Sequence, residues 1–210
     1  MRIRLMKLTI ENFKGIKHLE INAEKKNVLI EGKNGVGKST IPDAINWLWY
    51  GKNIADSAKF SVNPVWTPDF VDNQRSSGTA NKYGFDKNVH VMGDKIHNIE
   101  TKVSAIYDID GQEVSLSRSI AEKWTKKRGS LEPEFSGYET SYECSDQKCQ
   151  RSEKGEIREK DFQAYTESIM PEKTARMILN GTYLLSSTVS WQDRRKLLAS
   201  IAGIDSDVIN

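Results

Sequence analysis

One stretch, Gly32–Ser39 (GKNGVGKS), constrains this chain more than any other. Gly32, Gly37, Lys38 and Ser39 satisfy G-x-x-x-x-G-K-[ST] without a gap. Glycines at these positions let the backbone wrap tightly and turn its amide N–H groups inward, forming a nest for phosphate oxygens. A helix starting at about Lys38 aims the positive end of its dipole at the same anion. Lys38 supplies a mobile point charge for the β- and γ-phosphates, and the Ser39 hydroxyl suits a Mg²⁺ ligand. The bland alternative is a chance glycine-rich turn. Context argues against it, because an apolar run precedes the loop and a helical period follows.

That context is read from the spacing of apolar residues. RIRLMKLTIENF alternates as a strand, with Leu8 and Ile10 on one face and Lys7 and Thr9 on the other, and IKHLEIN repeats the pattern. KNVLIEG reads as a short buried central strand ending in glycine. The period then changes: Ile41, Ala44, Ile45, Leu48 and Trp49 recur at helical spacing, and Gly51 supplies a stop. Pro42 is the discord, falling within the first two turns of this helix. From Ser61 to Asn98 the chain is rich in Asn, Ser, Gly and Pro and reads as a long loop or insertion. TKVSAIYDIDGQEVSLSRSI gives two alternating runs joined at Asp110-Gly111, a strong hairpin signal, and GYETSYECSDQKCQRS predicts another hairpin. Phe162, Tyr165 and Ile169 space as a helix, and Pro171 opens a second short one. Ser190 caps a last helix, with Leu197, Leu198 and Ile201 facing the body, Arg194 and Lys196 facing water, and Gly203 at its end.

The totals exclude little but exclude it firmly. A chain of 210 residues can bury one sizeable core, and 37% hydrophobic with 29% charged residues fits a globular protein. A net charge of +2 is too balanced to require a nucleic-acid partner. No run approaches the ~18 apolar residues of a membrane span, and the start lacks a signal-peptide core, so a reducing cytoplasm is the default. Cys144 and Cys149 are too few for a disulfide framework or a zinc site and read as cross-strand neighbours flanking the SDQK turn. Lys123, Lys126, Lys127 and Arg128 around Trp124 form either a phosphate-contacting patch or a solvated hairpin tip. Asp108–Gly111 mimics a GTPase switch, but no guanine-reading Asn-Lys-x-Asp follows, and a hairpin turn explains it better.

At this point the motifs carry a resemblance. LTIENFKGIKHLEI followed by VLIEGKNGVGKSTIPDAINWLWYGK resembles the N-terminal lobe of the SMC, SbcC and RecF group of ABC-type ATPases, including Asn34, Gly35 and the triplet Asp43-Ala44-Ile45. MILNGTYLLSSTVSWQDRRKLLASIAGID is similar to the segment that carries the Q-loop in SbcC-like proteins. Asn180-Gly181 there occupies the Gln-Gly position, with the amide on a side chain one methylene shorter.

The resemblance implies an α/β fold: a P-loop NTPase, the N-terminal lobe of an ABC-type head, with antiparallel β-hairpins and C-terminal helices. Residues 1–210 would form one lobe: 1–60 the β meander, loop and helix, 61–98 the insertion, 99–155 the hairpins and 156–210 the helical segment. It implies ATP and Mg²⁺ as cofactors, with nucleotide on Asn34, Gly35, Val36, Gly37, Lys38, Ser39 and Thr40, and Mg²⁺ at Ser39 and Asn180. Lys38 and Asn180 would take the catalytic roles. Lys14 matches the residue that approaches the phosphates in that group; a solvated surface lysine is the other reading. Hydrolysis in such ATPases needs a Ser-Gly-Gly signature and a strand ending in Asp-Glu, neither of which this sequence shows. Efficient turnover would therefore require a C-terminal lobe, in trans or beyond this sequence, with a head-to-head dimer as the complete form. DNA and a nuclease subunit are the further partners implied. Two other readings stand beside it: a non-catalytic half-lobe that modulates a full-length ATPase by association, and an unrelated phosphate-loop kinase or GTPase.

Overall fold

A computed structural model describes residues 2–34, 37–54, 100–126, 128–129, 134–179 and 189–203. Strands β1 (Ile3–Phe13) and β2 (Ile16–Asn22) are followed by helix α1 (Thr40–Tyr50). Strands β3 (Thr101–Ile109), β4 (Gln112–Thr125) and β5 (Glu134–Cys144) come next, then α2 (Glu159–Ile169), α3 (Glu172–Leu179) and α4 (Trp191–Ala202). The strands form one sheet in the order β2-β1-β3-β4-β5, antiparallel at every pairing. The architecture is mixed α/β in content, with helices packed on one face of an antiparallel sheet. Among the described residues no helix is long and apolar enough to cross a membrane.

Alternation along β3 and the start of β4 dictates which face is covered. Val103, Ala105 and Tyr107 of β3 and Val114 and Leu116 of β4 are buried, while intervening residues such as Ser104 and Ser115 are not. On β1 a register shift between Leu5 and Lys7 keeps Leu8 and Ile10 on the same apolar face. The β3–β4 hairpin turns at Asp110 and Gly111, with φ of 50° and 91°. Both values lie in the left-handed region that a two-residue primed turn needs, so the Asp-Gly signal is met. Asp108 accepts from the Gly111 amide at 2.7 Å and pairs with Lys25 at 2.7 Å. Lys25 is the main cause of its carboxyl being held below the usual range. Its contribution to stability is therefore present at neutral pH and fades as pH falls through the carboxylate range.

Helix α1 docks on that face and is buried nearly all round in its second half: Asn46, Trp47, Leu48, Trp49 and Tyr50 are all inside. Phe13 meets Trp47 with ring centroids 5.5 Å apart, and Trp49 lies edge-on to Tyr107 at 5.2 Å while donating to its hydroxyl at 2.8 Å. Burial pushes the Tyr107 phenol up to about 12. Pro42 is the third residue of the helix, where the N–H has no intrahelical acceptor, so the ring removes no bond. The helix ends at Gly51 in the left-handed conformation, its N–H donating to the Trp47 carbonyl. A Cβ at Gly51 would lie 2.2 Å from the Arg118 guanidinium. Arg118 is itself buried beneath the rings of Trp47, Tyr142 and Phe162. Two bonds fix α2 to α1: the Tyr50 hydroxyl donates to the Met170 carbonyl at the end of α2, and Thr166 donates to the Trp49 carbonyl.

Four expectations are corrected. Lys26–Gly32 forms no strand, and Val28, Leu29 and Ile30 are exposed, Leu29 by 81%. The five described strands leave that run without a pairing partner, and an apolar run alone cannot supply one. The second expected hairpin is instead β5 pairing back onto β4, and the chain beyond Cys144 turns without returning as a strand. Cys149 therefore lies in that turn rather than across a strand, buried with Cys144 as free thiols. Leu198 is exposed on α4, with Val189 and Ala199 buried near it, because helical spacing does not say which side meets the body. The expected insertion at 61–98 lies outside the described residues.

Two substitutions test this packing. Trp47→Ala is expected to cost about 3–5 kcal/mol in chemical denaturation, since the indole is fully buried. Gly51→Ala is expected to cost about 2 kcal/mol or more, from both its positive φ and the guanidinium in the way of a Cβ.

Candidate functional site

The motif residues converge where the loop enters α1. Gly37 has φ of 93°, in the region that favours glycine, and its carbonyl accepts from the Thr40 amide at 3.0 Å. A Cβ there would make only ordinary contacts, 3.7 Å from Thr40 Oγ1 and 3.9 Å from Ile16 Cγ1. The glycine is thus required by backbone conformation rather than by space. Lys38 folds back over the loop, its Nζ donating to the carbonyls of Gly32 at 2.5 Å and Lys33 at 2.6 Å. One ammonium is thereby held against the loop backbone. Ser39 takes the N-cap position of α1, yet its hydroxyl makes no capping bond and the residue is exposed. A serine at this position usually spends its oxygen on the helix. Here the oxygen makes no such bond, and a hydroxyl of this kind suits a hard cation's need for oxygen ligands.

A second cation reaches the same region. The β1–β2 turn is tight: Phe13 pairs with Ile16, and Lys14 between them has φ of 50°. Ile16 is the residue that approaches Gly37, so this turn lies against the phosphate loop. The Lys14 ammonium forms an ion pair with Asp43 Oδ2 in the first turn of α1. Asp43 Oδ1 accepts from the Ile54 amide at 2.9 Å. Lys14 is half-buried here and spends its ammonium on Asp43 rather than on solvent alone. Asn34 is exposed at the other end of the loop, and Thr40 begins the helix. Gly35, Val36 and Asn180 lie outside the described residues.

Behind the loop, α1 is moored to the helical layer through the segment that follows it. Asn46 Nδ2 donates to the carbonyls of Lys52 and Asn53, each at 2.9 Å, and Lys52 donates to both carboxylate oxygens of Glu172 at 3.0 Å. Arg176, one turn further along α3, pairs with the same carboxylate. Asn46, Glu172 and Arg118 are neighbours of α1 that sequence reasoning missed. Asp43 was legible as the first residue of the Asp43-Ala44-Ile45 triplet, but its pairing with Lys14 was not. Lys123 sits 3.6 Å from Glu139 across the ladder, while Lys126 and Arg128 are exposed. The side chains of Trp124 and Lys127 lie outside the described residues. A hollow between β1, α1 and α3 is lined mostly by apolar residues including Ile3, Leu5, Ile45 and Ile178, with no charged side chain among the described lining.

A family profile described as an AAA domain matches residues 7–183. The DNA replication and repair protein RecF of Rickettsia prowazekii (strain Madrid E) is 34% identical over 55 residues. That alignment covers 26% of this chain and 15% of RecF. Together these similarities are those of an N-terminal region of an SMC/RecF-type ABC ATPase.

The requirement for glycine at 37 is testable without any ligand. Gly37→Ala forces a β-carbon into the left-handed region and is expected to cost about 1–2 kcal/mol of stability, read from the shift in the denaturation midpoint.

Proposed function

The chain belongs to the AAA domain family, and on that premise we propose that it binds ATP as the N-terminal region of an SMC-, SbcC- or RecF-type ATPase acting in DNA repair, recombination or segregation. The observation that carries this reading is the loop itself. A glycine in the left-handed region, a folded-back lysine and an uncommitted serine hydroxyl all stand at the N-terminus of α1. The dipole of an eleven-residue helix adds partial positive charge at that point. In this reading the fold is that of a P-loop NTPase head. Asn34, Gly35, Val36, Gly37, Lys38, Ser39 and Thr40 form the phosphate nest, with Lys14 beside it.

Ser39 is the described residue that would hold Mg²⁺, and Asn180 the second if the Q-loop similarity extends to role. The metal, when bound, would neutralise phosphate charge. The protein's own part is to bind and orient: Lys38 offers its ammonium, and the N-terminus of α1 offers backbone donors.

Turnover needs a group to activate water, and none of the motif residues supplies a base. The described Asp108 is committed to its hairpin turn and Lys25. We therefore assign efficient hydrolysis to association with a C-terminal ATPase lobe. The exposed Val28-Leu29-Ile30 run, directly before the loop, supports such a partner, because it is apolar, extended in sequence pattern and unpaired among the described strands. The same exposure favours a second reading, a half-lobe that modulates a complete ATPase by pairing with it. DNA and a nuclease subunit are partners of the assembled form.

Lys38→Ala is expected to weaken Mg-ATP binding by at least about tenfold in a calorimetric titration. The parent chain alone should release little phosphate from Mg-ATP. Robust release would overturn the need for a second lobe, and a preference for GTP would redirect the reading to another phosphate-loop class.

A further inference from the structure

The nucleotide-binding reading leaves one neighbour of the loop without a role. Asp43 stands four residues beyond Ser39, about 6 Å along the helix axis. It is held from two sides, by the Ile54 amide on Oδ1 and the Lys14 ammonium on Oδ2, and its side chain is only 13% exposed. The carboxylate is therefore fixed in place. Lys14 is different: its backbone is set by the tight β1–β2 turn, but its ammonium sits on a four-carbon arm with several ångströms of reach. The turn that carries it lies against Gly37 through Ile16. An anion in the phosphate nest and the Asp43 carboxylate are thus two negative groups near one cation. At physiological salt, charges within a Debye length of about 8 Å of one another still interact.

We propose that Asp43 sets the nucleotide affinity of this site by competing with the bound phosphates for the Lys14 ammonium. This rests on the nucleotide-binding reading above. With Asp43 charged, the local ledger of Lys14, Lys38 and Asp43 is +1; with its charge removed, it is +2. The carboxylate acts as a built-in rival that keeps binding weaker, and more easily reversed, than the two lysines alone would make it. A purely structural ion pair makes a different prediction. If Asp43 only anchors the turn, removing either partner loosens the same turn and affinity moves the same way in both variants.

The intact chain, D43N, K14M and the double variant are titrated with Mg-ATP by calorimetry at low and high salt. D43N keeps an oxygen to accept from Ile54 N–H while losing the charge. The competition predicts that D43N binds about threefold more tightly than the parent, with a steeper salt dependence, and K14M about threefold more weakly, with a shallower one. In the K14M background, D43N should bring no gain. Weaker or unchanged binding by D43N, or a gain that survives K14M, overturns the proposal. D43S removes the same charge without an amide, and whichever of the two variants keeps the parent's cooperative unfolding decides. A parent chain that binds no nucleotide overturns the functional reading itself, an outcome distinct from nucleotide binding that ignores Asp43.

Discussion

Burial of α1 against the apolar face of the antiparallel sheet is the contact on which the rest of the molecule depends. Trp47 packs on Phe13, Trp49 on Tyr107, and the helix end closes at Gly51 directly over the Arg118 guanidinium. A helix carrying two tryptophans and a tyrosine in four residues has nowhere else to put them, and full burial of each indole is worth several kcal/mol. With its C-terminal half fixed this way, the N-terminal end has only one place to be. Lys38, Ser39 and Thr40 emerge beside the β1–β2 turn, and the phosphate loop acquires its neighbours.

Arg118 shows how a charge survives in that core. Its guanidinium is shared among the faces of Trp47, Tyr142 and Phe162 and lies beside the C-terminal end of α1, where helix carbonyls carry partial negative charge. Glycine at 51 serves both demands, since it adopts the left-handed cap and leaves room for the guanidinium. The polar ties continue outward. Asn46 turns the chain after the cap, Lys52 meets Glu172, and Arg176 completes a chain of charges that fastens α3 to the phosphate-loop helix. A shift of α1 would therefore be felt in α3, one residue before Asn180.

Charge near the loop is balanced rather than simply positive. Two lysines approach it, one folded onto loop carbonyls and one paired with Asp43. An anion at such a site would bind by exchange: each ammonium already has partners, so the gain would be the difference between two sets of charge-assisted bonds. Backbone donors at the N-terminus of α1 would add to that difference.

Local chemistry was legible in the sequence wherever a residue type answers a backbone demand. The Asp110-Gly111 turn, the Gly51 stop, Gly37 in the loop and the alternation of β3 all fall in this class. Tertiary structure decided what depends on a partner. KNVLIEG has the composition of a central strand, but a strand is a relation between two chains of hydrogen bonds, and composition names only one of them. Helical spacing in α4 likewise could not say whether Leu198 or Ala199 faces the body. Lys14 and Asp43 are 29 residues apart, and only the docking of α1 brings them together. The sequence by itself determined that a phosphate-type loop opens a helix; which charges surround it was settled by where that helix could bury its tryptophans.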